Sequence, residues 1–227
     1  MARRMTEDAV REAAWIARCV GRIETSPLTE ADLSALASYL AMRDIERGGV
    51  LFGAGKVPEG VWIIREGTVE LSVGAGRRRQ VVQLLRAGDV DGDVQLLLGM
   101  PFPYTARAAS EARALFLDAA SFERLLARHS MVARRWLSSV ATRVVRSQAR
   151  ILGLLGKSLT AQVARLLTDE AEDGRIRLPQ RTLAAMLGVH RPSLNKVLKD
   201  LERSRLLSVG YSEIEILDRE GLSRIAA

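Results

Sequence analysis

Cysteine is nearly absent from this chain, and that removes several kinds of chemistry at once. Cys19 is the only one in 227 residues, so no disulfide can close within one chain and no thiolate-held zinc finger or iron–sulfur cluster can form. Histidine is almost as scarce. His129 and His190 are the only two, and neither has a Cys or His partner nearby in sequence, so no metal, haem or iron–sulfur cofactor is expected. Aromatic residues make up 4% of the chain, against 48% hydrophobic residues overall, so its cores have to be mainly aliphatic. No apolar run approaches the ~20 residues of a membrane span. The opening stretch, MARRMTEDAVREAAW, carries acids early and lacks a continuous apolar core, so it does not read as a secretory signal. A cytoplasmic location with no membrane partner is expected. Glycine-rich phosphate loops, paired catalytic carboxylates and convincingly placed Ser/His/Asp or Cys/His sets are missing too, so no enzyme is expected.

What the chain does have is charge in one place. Residues 1–130 hold 17 basic and 17 acidic side chains, whereas residues 131–227 hold 17 basic and 10 acidic, so the whole excess of +7 lies in the second part. Segregation of this kind points to a polyanionic partner for that part.

Within it, one stretch organises the rest: LPQRTLAAMLGVHRPSLNKVLKDLERSRLL, from Leu178 to Leu207. Leu183 and Leu187 mark one face of a short helix, with Ala184 small where a second helix approaches. Leu194, Val197, Leu198 and Leu201 mark one face of that second helix. Only Gly188, Val189 and His190 lie between them, so the chain must turn sharply, and Gly188 can supply the positive φ that ends the first helix. Pro192 fits the first turn of the second, where a missing N–H costs little. The pattern is a helix-turn-helix. A helical hairpin inside a core would explain the apolar spacing. It would not explain the outer face, where Arg191, Ser193, Asn195, Lys196 and Lys199 come before the first acid, Asp200. Those residue types contact base edges and phosphates, so double-stranded DNA is the expected partner.

Residues 5–23 read as an amphipathic helix with Met5, Ala9, Ala13, Ile16 and Val20 on one face and Cys19 packed beside it. Thr29 is a good N-cap for a helix over 30–40. From Ile45 the pattern becomes short strands between glycine turns: 61–64, 69–73, 81–85, 104–109 and 113–117, with Arg65-Glu66-Gly67 turning between the first two and Arg77-Arg78-Arg79 in a solvated loop. Strands at this spacing predict a small β-barrel or jelly roll. Residues 122–129 predict a short helix and 132–155 a long one. The long helix carries a heptad seam of Leu137, Val140, Val144, Ile151 and Leu154, which calls for a partner helix and favours a parallel homodimer. Trp136, Val145, Leu152 and Leu155 lie off that seam. Gly153 and Gly156 end the helix and mark a hinge at 153–158, and Ser158 caps the next helix, 159–170. Ile176 and Leu178 form a short strand, and 206–209 with 213–217 form a β-hairpin around Gly210-Tyr211-Ser212, the wing of a winged helix. The fold class is α+β, with an effector-type β domain over 1–130, a dimerisation helix over 131–155 and a winged helix-turn-helix over 156–227.

This order resembles the cyclic-AMP receptor protein and fumarate–nitrate regulator (CRP/FNR) superfamily of bacterial transcription factors, from about Ile23 onward. The resemblance is carried by GGVLFGAGKVPEGVWIIREGTVEL, by Ala87-Gly88-Asp89 and by LAAMLGVHRPSLNKVLKDLERSRLL. It implies that Arg191 and Lys196 meet base edges, with Ser193 and Asn195 beside them, and that Gln180 and Arg181 touch phosphate. It also implies a palindromic operator and RNA polymerase as a further partner. Pro192 replaces a residue that is often acidic and base-reading in the family, which alters the DNA sequence expected. The effector pocket departs further. The family has Gly-Glu-Leu-Ala followed by Arg-Ser/Thr-Ala, with the Glu on a ribose hydroxyl and the Arg on the cyclic phosphate. Here the stretches are Gly92-Asp93-Val94-Gln95 and Tyr104-Thr105-Ala106. Asp93 is a methylene shorter than Glu, and Tyr104 brings no charge where the phosphate needs one. Ser147, on the long helix, is implied to face the pocket. Loss of the usual cyclic-nucleotide mode is therefore expected, leaving either an uncharged ligand or no effector, and Tyr104 reads equally well as core filling.

Overall fold

A computed structural model describes residues 14–16, 19, 28–76, 79–154, 156–210 and 213–226. Most of the helix expected over 5–23 therefore lies outside the described residues, as do Arg77, Arg78, Leu155, Tyr211 and Ser212. Ala14, Trp15, Ile16 and Cys19 are helical, and Ile16 is fully buried. The chain divides into two units, Met1–Val73 with Val82–Arg146, and Gly74–Val81 with Ser147–Ala227. That division falls inside the long helix, upstream of the glycines where the sequence places a boundary.

The first unit opens with α1 (Glu30–Tyr39), closed at its start by a capping box. Thr29 Oγ1 accepts from the Asp32 amide at 3.2 Å, and the Asp32 carboxylate accepts from the Thr29 amide at 2.9 Å. Eight strands follow: β1 (Leu40–Ile45), β2 (Val50–Phe52), β3 (Gly60–Glu66), β4 (Val69–Val73), β5 (Gln80–Leu85), β6 (Val90–Asp91), β7 (Thr105–Ala108) and β8 (Ala112–Asp118). They form two four-stranded sheets, β1-β8-β3-β6 and β2-β7-β4-β5, in a jelly-roll-like arrangement. The short helix α2 (Asp93–Leu98) lies between β6 and β7. After β8 come α3 (Ala119–Arg128) and the long α4 (Ser130–Leu154).

Both faces of β3 and β8 are covered, which is why Val61-Trp62-Ile63-Ile64 reads as an unbroken apolar run. Successive side chains point to opposite faces of a strand. Val61 and Ile63 pack with Leu115, Leu117, Phe122, Leu125, Val132 and Trp136 in a core shared with the helices. Ile64, Ala112 and Ala114 join Phe52, Val69, Leu71 and Phe102 in a second core that draws on both sheets. The scarcity of aromatics is offset there by alanines and by the stacked rings of Phe52 and Phe102, 3.8 Å apart.

The strand pattern expected from the sequence changes in several places. Arg65-Glu66-Gly67 does not close a hairpin, because β3 and β4 belong to different sheets. The link hands the chain from one sheet to the other past the backbone of Glu111, and a Cβ on Gly67, whose φ is +81°, would come 2.2 Å from that carbonyl oxygen. Strands β1, β2 and β6 and helix α2 were not expected. β1 starts directly where α1 stops, without a turn to announce it, and its exposed middle, Met42-Arg43-Asp44, breaks the apolar alternation that marks a strand.

The second unit contains α5 (Leu159–Glu170), β9 (Arg175–Ile176), α6 (Gln180–Met186), α7 (Arg191–Arg203), β10 (Leu207–Val209), β11 (Ile214–Ile216) and α8 (Arg219–Ala226). Ser158 caps α5 by accepting from the Ala161 amide at 3.2 Å. The wing is a three-stranded sheet, β10-β11-β9, not a lone hairpin. The unexpected α8 packs on α5, with Leu222 inside the core.

Candidate functional site

Helix α6 ends as the glycine requires. Gly188 has φ +65°, and the Val189 amide donates to the Ala184 carbonyl at 3.0 Å. Helix α7 then starts after His190 with Pro192 in its first turn. Leu194, Val197, Leu198 and Leu201 are buried against Val163, Leu167, Leu183 and Ile214. Each such aliphatic burial stabilises by ~1.5–3 kcal/mol, which fixes the rotation of the helix. The opposite face is left in solvent, with Arg191, Ser193, Lys196 and Lys199 all exposed. Asn195 is half-buried at the edge of this face, and its amide oxygen has no hydrogen-bond partner among the described residues. Arg181 is exposed and Gln180 half-buried at the start of α6.

Gln180, Arg181 and Arg191 line an open cleft of about 370 Å³, closed on the wing side by Arg177, Gly210 and Glu213. Arg177 was not singled out from the sequence. The available signal was the alternation Arg175-Ile176-Arg177-Leu178, which sets two cations on the face opposite the buried Ile176.

The first unit contains a second polar constellation. Gly92 precedes α2 and Asp93 begins it, completely buried. Both carboxylate oxygens of Asp93 are engaged. Oδ1 accepts from the Val94 amide at 2.8 Å, and Oδ2 accepts from the Trp136 indole at 2.7 Å and from Arg143 Nη2. Arg143 also donates to the Val90 carbonyl at 2.6 Å. Next to this, the Tyr104 hydroxyl donates to Asp91 Oδ1 at 3.0 Å and accepts from Gln95 Nε2 at 3.2 Å. Burial pushes the Asp91 carboxyl up to about 6; hydrogen bonds from Gly92 and Tyr104 pull the other way, and the neighbouring Asp93 charge adds to the rise. Burial likewise raises the Tyr104 phenol, and the Asp91 charge adds to that. Asp91 Oδ2, Gln95 Oε1 and Arg143 Nε have no partner among the described residues. Thr105 points elsewhere, its hydroxyl accepting from the Ala54 amide at 3.1 Å, and Ser147 is an exposed residue of α4.

Of the expected pocket residues, then, Gly92, Asp93 and Tyr104 are in one network. Asp91, Trp136 and Arg143 complete it and were missed. Trp136 and Arg143 are seven apart on α4, so they share a face, and an arginine in phase with a tryptophan was the legible hint.

On the long helix, Leu137, Val144 and Ile151 are 69%, 49% and 56% exposed, while Val140 packs against the first unit's core. Nothing is described of the Leu154 side chain. Among the described residues there is no group of three or more His, Cys, Asp or Glu placed to hold a metal ion, and no helix long and apolar enough to cross a membrane.

Comparison with known proteins matches residues 42–129 to the cyclic nucleotide-binding domain and residues 161–225 to the Crp-like helix-turn-helix domain. The chain is 58% identical over 217 residues to the HTH-type transcriptional regulator Cmr of Mycobacterium tuberculosis, covering 96% of this chain and 89% of that one. It is 24% identical to the CRP-like cAMP-activated global transcriptional regulator of the same species, over 86% of this chain and 92% of the relative. The solved structure of FixK2 from Bradyrhizobium japonicum superposes with a TM-score of 0.73 at 21% identity, covering 83% of this chain and 98% of that one, which speaks to the fold alone. Two successive domain matches, together with majority identity to a transcriptional regulator over nearly the whole chain, identify the chain as a member of the CRP/FNR family of bacterial transcription regulators, carrying a helix-turn-helix DNA-binding domain.

Proposed function

We propose that the protein works in the cytoplasm as a homodimer that reads a palindromic operator with α7, one copy in each of two successive major grooves. The observation that carries this reading is the split of α7 into a buried aliphatic face and an exposed face of Arg191, Ser193, Lys196 and Lys199. Arg191 and Lys196 meet base edges, with Ser193 and Asn195 beside them; Gln180 and Arg181 hold the backbone. A twofold dimer requires inverted half-sites about one helical turn, ~34 Å, apart. The dimer seam is Leu137, Val140, Val144, Ile151 and Leu154 of α4, the hinge lies at 153–158, and RNA polymerase is the further partner at a promoter. The test starts from an operator selected from a random duplex pool. Arg191→Ala should lose ~1–3 kcal/mol, roughly 5- to 150-fold, at one symmetric pair of base positions. An equal loss on every sequence would assign Arg191 to phosphate only.

The same reading makes control by cyclic nucleotide in the usual mode unavailable to this chain. Its M. tuberculosis relative is cAMP-activated by name. Here, however, Asp93 has both oxygens engaged and Tyr104 is tied to Asp91, so Gly92, Asp93, Tyr104, Thr105 and Ser147 offer neither a free ribose acceptor nor a cation at position 104. A second reading, a cyclic-nucleotide response through a non-standard pocket, is supported by one feature: Arg143 brings a guanidinium whose Nε is unpartnered among the described residues. Calorimetry with cyclic AMP separates the two. No saturable heat is expected; binding that is abolished by Arg143→Met would favour the second.

A further inference from the structure

The wing holds two cations that base reading by α7 leaves unused. Arg175, in β9, and Arg177, just past it, flank the buried Ile176 and share one face. One carboxylate holds both. Arg175 Nη1 donates to Glu213 Oε1 at 3.1 Å and Arg177 Nε donates to Glu213 Oε2 at 3.0 Å, while Glu215 takes the other terminal nitrogen of Arg175 at 3.1 Å. Glu213 also faces the cleft lined by Gln180, Arg181 and Arg191. Two guanidinium groups on the two oxygens of one anion is the arrangement a backbone phosphate makes when arginines clamp it. In this chain an internal carboxylate already makes it.

We infer that Glu213 stands in for a DNA phosphate: it keeps Arg177 occupied and so lowers sequence-independent binding, while leaving base reading by α7 untouched. The inference rests on the DNA-binding reading above. Its physics is counterion release. A free arginine meeting a phosphate releases condensed cations and strengthens binding to any duplex, whereas an arginine already neutralised by a carboxylate adds little. If DNA pulled Arg177 away, the Glu213 charge would be left facing the incoming phosphate, a like-charge contact that works against association on every sequence. Base contacts act only at the operator, so suppressing the common term raises the ratio of specific to non-specific binding, which is what matters among a genome's competing sites.

The probe is a random-sequence 30-base-pair duplex, followed by fluorescence anisotropy between about 50 and 200 mM KCl. Glu213→Gln keeps the size and some hydrogen bonds but removes the charge. It should bind tighter than the wild type, with the slope of log affinity against log salt steeper by about 0.9, so its advantage shrinks ~3-fold across that range. Arg177→Ala in the wild-type background should change affinity less than ~2-fold, and in the Glu213→Gln background should remove the whole gain. An unchanged slope in Glu213→Gln overturns the inference. So does a slope about 0.9 shallower in Arg177→Ala alone, the mark of an arginine already seated on phosphate. Should Glu213→Gln melt as an unfolded chain, the Arg177→Ala slope decides by itself. A wild-type protein that fails to bind the duplex even at low salt brings down the DNA-binding reading; a wild type that binds, beside a Glu213→Gln that matches it, brings down this inference only.

Discussion

At the scale of single residues, the clearest consequence concerns Asp91. It is 6% exposed, its Oδ1 takes hydrogen bonds from Tyr104 and Gly92, and its carboxyl is raised from 3.8 to about 6, first by burial and further by Asp93. An acid whose folded value lies above its unfolded value binds its proton more tightly when folded, so its contribution to stability is fully present below about 3.8 and lost as pH rises through about 6. Urea unfolding of the first unit should therefore become easier between pH 4 and pH 6.5, by an amount on the order of 3 kcal/mol before other groups are counted. Asp91→Asn should flatten that dependence and leave the protein more stable at pH 7. An equally steep decline in Asp91→Asn would mean that another group is responsible. Asp93, two residues further on, has what Asp91 lacks: an arginine and an indole N–H on the same oxygen.

At the scale of elements, α7 separates stability from recognition, and the separation can be measured. Leu194 is fully buried in the second unit's core. Leu194→Ala should destabilise that unit by ~2–5 kcal/mol through lost transfer and cavity terms. Lys196→Ala, on the exposed face, should stay within ~0.5 kcal/mol of the wild type in a denaturant melt and show its effect only in DNA titrations. Comparable losses of stability in both variants would contradict the orientation of the helix. The same helix shows what a sequence reveals and what it conceals. Its apolar rows at helical spacing, the positive φ at Gly188 and the proline in its first turn are all local signals, and the structure keeps each of them. The caps at Thr29 and Ser158 are local too. What stayed hidden depends on distant parts of the chain. Strand β1 is defined by pairing with β8, Leu40 opposite Leu117, 77 positions away. Gly67 looks like a hairpin glycine until its neighbour is seen to be Glu111. The Arg177–Glu213 and Arg143–Asp93 pairs join residues separated by 36 and 50 positions, so no window of the sequence contains both members.

At the scale of the whole molecule, an apolar row along α4 is left facing solvent. Leu137, Val144 and Ile151 recur every seven residues, and so do Val145 and Leu152, which are 63% and 68% exposed. Trp136, one position off the seam, is sequestered in the first unit's core against Phe122, with ring centroids 4.9 Å apart. The helix therefore has one face committed to its own chain and another with aliphatic side chains left in water, each of which gains ~1.5–3 kcal/mol on full burial. In the proposed homodimer a second copy would supply that burial with matching heptad positions, and twofold symmetry would then offer two α7 helices to one duplex. Because Val144 is half-exposed within its own chain, Val144→Glu should leave the unfolding free energy of each subunit nearly unchanged while setting two carboxylates against each other across the seam. Sedimentation should show the wild type as a dimer at micromolar concentration and the variant as single subunits. Affinity for a full palindrome should fall by ~10²-fold or more, since the second half-site loses its high effective concentration, whereas affinity for an isolated half-site should hold. A wild type that sediments as one subunit, or a Val144→Glu protein that remains dimeric and keeps its palindrome, would mean that something other than a second α4 covers this face.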